Sequence, residues 1–384
     1  MSLRSIPAQF WRGGTSKALV FDDRNLPPSQ EVRDRIFLSA MGSPDANGRQ
    51  LNGMGGGISS LSKICIVGPS SRPDADVDYT FGQVPVGEGA VDYSGNCGNM
   101  SSAIGPAALE FGLVRPPADG EAVVRVHNTN TGKVIVSRFS VIEGRHDPSG
   151  DFRIDGVSGS GSPVRLEFLH PGGAKTGLLL PTGRVVDDLV LPDGTRIEAS
   201  CIDAANPCVF VAAAALGKTG LELPDDLETD PDWLDRIEAV RRAAGVAMGL
   251  APDLAAAARA ESLPKVAMVA AAADGPILSG RILAAADHSI SIRMMSMGRP
   301  HRAVPVTGAV CLAVAARLPG SLPARLLSQR PGPIVVGHPS GSLAVDADVV
   351  PDSGPDSGQA GVTVLSGSVF RTARKLFSGE VWFE

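Results

Sequence analysis

Aromatic residues make up only 4% of this 384-residue chain. A core must therefore be assembled from Ala, Val, Leu and Ile, packed closely enough to do without large rings. Cysteine is sparse too, with five residues at positions 65, 97, 201, 208 and 311. The number is odd, and no C-x-x-C or Cys/His spacing suited to zinc occurs, which excludes a disulfide framework and a metal module. Reduced thiols fit a cytoplasmic protein. Lys and Arg never run longer than a pair and the net charge is −6, so the footprint of a nucleic-acid binder is missing. Long apolar runs are also lacking. The longest, Pro207–Leu216, is far too short to span a bilayer, and Met1–Gly14 has no apolar h-region.

Glycine and proline are plentiful instead, at 45 and 30 residues spread along the chain. Many turns and short strands follow from that. A hydrophobic content of 43% with 20% charged residues describes an ordinary globular protein, and the length favours two domains. Strands are expected at Ala18–Phe21, Ser62–Val67, Val77–Val86 and Ala90–Tyr93, with a helix over Ser29–Met41. Ala122–Asn128 and Lys133–Val141 read as a hairpin. The second half repeats the plan, with strands at Ile197–Ile202, Pro207–Ala214, Lys265–Ala271 and Ser289–Met294 and an amphipathic helix at Trp233–Met248.

The most informative segment is Gly95-Asn96-Cys97-Gly98-Asn99, directly ahead of the small-residue helix expected over Asn99–Leu113. A helix start offers free N–H groups to an anion and favours thiolate over thiol. Cys97 is thus a candidate base or nucleophile, or else a small Cys in a tight turn. Pro106 inside this helix implies a kink or a late start. A second turn, with His301 beside Arg302 and then Thr307-Gly308, leads into the apolar helix Ala309–Leu318. Two such helix starts facing each other across a cleft would hold a substrate with two or more carboxylates.

Gly53–Gly57 with Ser59, Ser60 and Lys63 is the next candidate. Gly56 and Gly57 can form a backbone nest for an anion. Lys63 is either a base partly withdrawn from water or a surface residue at a strand end. Arg12-Gly13-Gly14-Thr15-Ser16-Lys17 combines cations, hydroxyls and glycines suited to a carboxylate, though a plain hairpin loop also explains the Gly-Gly pair. Asn206 before Pro207, Lys265 at a strand start and His301 are weaker candidates. Gly217-Lys218-Thr219 lacks the upstream glycine of a phosphate loop, and Gly53–Gly57 lacks the spacing of a dinucleotide fingerprint.

Taken together, Arg12–Lys17, Gly42–Asp45, Gly53–Lys63, Asp76–Gln83, Asn96–Asn99, Asp203–Pro207, Gly337–Gly341 and Arg371–Arg374 resemble the PrpF-type isomerases, collinearly over nearly the whole chain. That family includes 2-methylaconitate isomerase, 3-methylitaconate Δ-isomerase and the 4-oxalomesaconate tautomerases. The resemblance implies an α/β (α+β) diaminopimelate-epimerase-like fold of two pseudo-equivalent domains, each wrapping a sheet round a central helix. The expected domains are 1–185, carrying Lys63 and Cys97, and 186–384, carrying Thr307-Gly308, with a C-terminal segment free to return to the first.

It implies a cofactor-independent shift of a proton and double bond in a small unsaturated di- or tricarboxylate, with Lys63 and Cys97 as acid/base pair and no metal. Arg12, Gly13, Gly14, Thr15, Ser16, Gly56, Gly57, Ser59, Ser60, Asn96, Gly98, Asn99, Asn206, Lys265, His301, Thr307 and Gly308 are its expected substrate-binding residues. The expected partners are that substrate alone, without nucleic acid or membrane, and a homodimer is allowed. Related racemases place a Cys at each helix start. Here the second start is Thr307-Gly308, and Cys311 falls a turn later, as a core residue would. The alternatives are an amino-acid racemase or epimerase using Cys97 and Cys311, a Cys hydrolase using Cys97 and His301, and a catalytically silent carboxylate-binding protein.

Overall fold

The computed structural model describes residues 3–87, 89–93, 96–260, 263–296, 298–351 and 361–384. The principal elements are β1 (Arg4–Gly13), β2 (Ser16–Asp22), α1 (Gln30–Met41), β3 (Lys63–Pro69), β4 (Val77–Gln83), α2 (Gly98–Glu110), β5 (Gly120–Asn128) and β6 (Lys133–Ile142). They continue as β7 (Arg196–Ala204), β8 (Asn206–Ala212), α3 (Pro231–Ala247), β9 (Lys265–Ala271), β10 (Ile290–Ser296) and α4 (Val306–Arg317). The chain ends with β11 (Ile334–His338), β12 (Gly341–Pro351), β13 (Val362–Arg371) and β14 (Ala373–Phe383). Two compact units result, one of Met1–Glu167 with Phe370–Glu384, the other of Phe168–Val369. No helix among the described residues is long and apolar enough to cross a membrane.

The two units repeat one strand plan. In the first, β1–β2 is antiparallel, β2–β3 parallel, β3–β4 antiparallel, β4–β5 parallel and β5–β6 antiparallel. In the second, the pairs β7–β8, β8–β9, β9–β10, β10–β11 and β11–β12 follow the same alternation in the same order. Each unit also encloses one helix. Met100–Leu109 of α2 are buried without exception, as are Gly308–Ala316 of α4. A helix apolar or small on every side has no solvent face to offer, so a sheet must curl around it.

Close approach explains the small side chains of α2. A Cβ on Gly105 would meet Ser137 Oγ at 2.6 Å and Phe139 Cε1 at 2.8 Å. The helix also runs on through Pro106, which deprives the Ser102 carbonyl of its helical donor. On the other face of the first unit's sheet, Ile6, Ala8, Phe10, Leu19 and Phe21 pack with Ile36 and Phe37 of α1. This helix stops at Gly42, whose φ of 75° lets its N–H cap the Leu38 and Ser39 carbonyls.

One expected strand is absent. Ala90–Tyr93 forms only an isolated bridge, between Asp92 and Gln83. The Tyr93 carbonyl accepts instead from Asn130 Nδ2 at 2.8 Å, which holds this stretch as a loop. The strand expected over Val77–Val86 ends at Gln83, because the Val84 N–H turns to the Ser62 carbonyl.

His146 packs against Trp11 and Phe139, with ring centroids 6.1 and 5.7 Å apart. Its Nε2 has no hydrogen-bond partner among the described residues. Burial, opposed by Asp147 and Glu110, lowers its pKa to about 4. The folded state therefore holds this ring neutral where the unfolded chain would protonate it. That contribution is complete above the ordinary histidine range near pH 6.5 and is lost as pH falls toward 4. Urea unfolding of His146→Phe against the parent should show a flatter dependence between those limits, by on the order of 2 kcal/mol. Gly105→Ala should lower stability by roughly 1–3 kcal/mol through overpacking, read from the urea midpoint at pH 7.5.

Candidate functional site

The first unit gathers its chemistry at the N-terminal end of α2. Cys97 is the N-cap, in extended conformation, and its side chain makes no capping hydrogen bond. Its carbonyl accepts from the N–H and hydroxyl of Ser101. By helix geometry the N–H groups of Gly98, Asn99 and Met100 have no partner within the helix. Gly95 of the Cys97 segment lies outside the described residues.

Close packing brings the β1–β2 turn onto this helix start. A Cβ on Gly13 would come 2.6 Å from the Asn99 carbonyl oxygen, and one on Gly14 would come 2.4 Å from Asn99 Oδ1. Gly14 also has φ +50°, a conformation that glycine adopts freely. Asn99 then donates to Thr15 Oγ1 at 3.1 Å and accepts from Arg371 Nε at 3.1 Å. Arg371 comes from the far end of the chain and was left out of the residues expected to bind substrate. Its other acceptor is the Phe370 carbonyl, and no carboxylate among the described residues pairs with it. Burial lowers its pKa to about 10, with Cys97 acting in the opposite direction. A guanidinium held by neutral groups beside a helix start is equipped to receive an anion.

Lys63 approaches from the sheet. It opens β3 and is only 8% exposed. Register sets it opposite Gln83, and its Nζ donates to Gln83 Oε1 at 2.5 Å and lies 5.1 Å from the Phe81 ring centroid. Gln83 is itself oriented, since its amide NH2 donates to the Ser59 and Ser62 carbonyls. No carboxylate among the described residues forms an ion pair with Lys63. Cys65, two residues on, is near enough to both candidates for each to act on its thiol. Its thiol pKa is pushed up by burial first and by Cys97 second, while Tyr79 and Lys63 pull the other way.

The residues expected near Lys63 divide by role. Gly57 N–H is taken by Gln50 Oε1 at 3.0 Å, so it serves the loop rather than standing free. Ser59 and Ser60 begin a single 3₁₀ turn, Ser59 exposed and Ser60 partly buried; Gly56 is exposed. Asn96 accepts from Asn128 Nδ2 at 3.1 Å. Asn130 holds both the Phe81 backbone and the Tyr93 carbonyl. The loop after β5 therefore braces the Cys97 loop, a role that sequence alone did not assign.

Arg12 is set apart from this group. Strand alternation puts it on the face opposite Gly13 and hence opposite α2. Its Nη1 donates to the Gly14 and Thr372 carbonyls and to Thr372 Oγ1. Ser16, buried, starts β2 opposite Gly13.

The PrpF protein family matches residues 3–384. The chain belongs to the PrpF family. It is 42% identical over 355 residues to a 2-methyl-aconitate isomerase of Cupriavidus necator, covering 89% of each chain. It is 37% identical to a 3-methylitaconate isomerase of Eubacterium barkeri, covering 99% of this chain and 97% of the relative. A crystal structure of methylitaconate-delta-isomerase superposes with a TM-score of 0.88 at 36% identity, over 100% of this chain and 97% of that one. This PrpF protein is an isomerase, and its fold is of the diaminopimelate-epimerase-like class.

The second unit of this PrpF protein carries the remaining candidates. Asn206 opens β8 after Ala205, whose φ is +59°. Lys265 opens β9 and is close enough to His301 to lower its pKa, although burial is the larger cause. His301 Nδ1 accepts the Ala303 N–H at 3.0 Å. Thr307 and Gly308 lie in the first turn of α4, which begins at Val306. A Cβ on Gly308 would meet Met294 Sδ at 2.7 Å. Cys311 is fully buried, its Sγ 3.4 Å from the Ile202 carbonyl, and burial with Cys208 pushes its pKa up. It belongs to the core, which removes the second thiol of a two-cysteine racemase.

Gln83→Leu keeps the volume and deletes the acceptor of Lys63. Because bonds to charged groups contribute roughly 1.5–3 kcal/mol, kcat should fall about tenfold or more. Steady-state kinetics beside a circular dichroism spectrum would check this, and an unchanged kcat would reduce Gln83 to a space-filling role.

Proposed function

We propose that this PrpF protein moves a proton along the allylic system of a small unsaturated di- or tricarboxylate, with Lys63 and Cys97 as its acid/base pair. The observation carrying this reading is a buried lysine with only a neutral acceptor and a cysteine at a helix start, both near enough to Cys65 to act on its thiol. The named activities of relatives supply the substrate class: 2-methylaconitate, 3-methylitaconate and, for a Pseudomonas putida relative 38% identical over 385 residues, 4-oxalomesaconate.

The chemistry follows from charge. Removing a proton from the sp³ carbon beside a conjugated C=C leaves an electron pair that spreads into a carboxylate. The pair returns when a proton arrives at the other end of the allyl unit, so the double bond moves and no atom is lost. The barrier falls where donors meet the growing charge on oxygen. Arg371, Asn99 and the first-turn N–H groups of α2 are the donors we assign. One of Lys63 and Cys97 must start without its proton and the other with it. In the second unit, Asn206, Lys265, His301 and the Thr307-Gly308 turn remain proposed substrate-binding residues.

Proton NMR in D2O with aconitate, 2-methylaconitate, methylitaconate and 4-oxalomesaconate tests the reading directly. Deuterium should enter an allylic position of one of them as its isomer appears. Cys97→Ala and Lys63→Ala should each abolish exchange while still binding aconitate. Turnover at the parent's rate in either variant would refute the acid/base assignment. Arg371→Met should raise KM and lower kcat/KM by about a hundredfold or more, as expected for loss of a charge-assisted carboxylate contact.

A further inference from the structure

Three cations stand in a row across three neighbouring strands of the first unit. Arg12 of β1 lies opposite Lys17 in β2 on one side and opposite Arg374 in β14 on the other. Like charges directly opposite on antiparallel strands destabilise a sheet. Among the described residues, no carboxylate forms an ion pair with any of the three. Lys17 leans away over the Phe10 ring, with Nζ 5.6 Å from its centroid. Arg12 has only neutral acceptors, all reached through Nη1. Its pKa is lowered by burial and by Arg374.

A cavity of about 170 Å³ opens on two of these cations, Arg12 and Arg374. Arg12, Arg374 and Thr372 line one side, and the 148–160 loop closes the other with Ser158 and Ser160. The cavity is thus a space with two guanidinium groups and three hydroxyl-bearing residues. Strand alternation turns Arg12 to the face opposite Gly13, and neither Cys97, Asn99 nor Arg371 lines the cavity.

We propose that this cavity is a second anion site, separate from the one at Cys97 and Arg371, for a small oxyanion carrying two or more negative charges. An occupant would offset the mutual repulsion of Lys17, Arg12 and Arg374, and the guanidinium edges of Arg12 and Arg374 not engaged with protein would bind its oxygens. The volume restricts it to a phosphate group or a short dicarboxylate. Arg12 also grips the carbonyls of Gly14 and Thr372, the neighbours of Thr15 and Arg371. A ligand on Arg12 thereby sits behind the corner that presents the Asn99 contacts.

The test is titration calorimetry of the full chain at low ionic strength, with inorganic phosphate in one arm and malonate in the other. At least one should bind, and which arm responds identifies the phosphate or the carboxylate as the natural group. Arg374→Glu, at an exposed position, should weaken that binding about tenfold or more. Arg371→Met and Cys97→Ala should leave it within about twofold. Circular dichroism establishes that each variant is folded. Absence of binding in both arms would overturn the proposal. So would binding that is insensitive to Arg374→Glu, or that disappears in Arg371→Met.

Discussion

A helix enclosed on every side by a sheet can meet a ligand only at an end. That constraint governs both units of this protein. The small residues of α2 let the strands close in, and Gly105 is where contact is tightest. Once the flanks are sealed, the free N–H groups at the N-terminus are what the helix still offers a solute. The candidate catalytic residues of the first unit gather there. Cys97 arrives as the cap, Asn99 in the first turn, Lys63 from a strand packed beside the helix, and Arg371 from the last strand pair.

The electrostatics of that end are built from neutral partners. Gln83 for Lys63 and Asn99 for Arg371 orient two cations without neutralising either. A carboxylate in either place would have made a comfortable ion pair and left nothing for a substrate. Holding an unpaired guanidinium in a partly dry setting costs solvation, as the lowered pKa of Arg371 records. An anionic ligand recovers that cost.

Much of this was legible beforehand because it is local. The Cys97 segment, the glycines at 13 and 14, the β5–β6 hairpin and the two apolar helices are written in adjacent residues, where turn chemistry and periodicity can be read. Lys63 was legible as a strand start, but its neighbour Gln83 was not, since cross-strand register decides that pairing. Arg371 was harder still, because 272 residues separate it from Asn99. Arg12 shows what a local reading of a turn leaves out. Its position in a glycine-rich turn suggested a substrate contact, yet strand alternation turns it to the other face. The loop bearing Asn128 and Asn130 could be noticed in sequence, but its bracing role needed the third dimension.

The order in which the chain is made gives the C-terminal strands a particular weight. β14 pairs with β1 along almost its full length, so the first and last strands lie side by side. During synthesis, the first unit must wait, with one edge of β1 unpaired, until the whole second unit has left the ribosome. Exposed strand edges invite intermolecular pairing. The residue just ahead of that closing strand pair, Arg371, is delivered in the same final step. A chain stopped short of its last fifteen residues would therefore lose its sheet closure and the Arg371 guanidinium together.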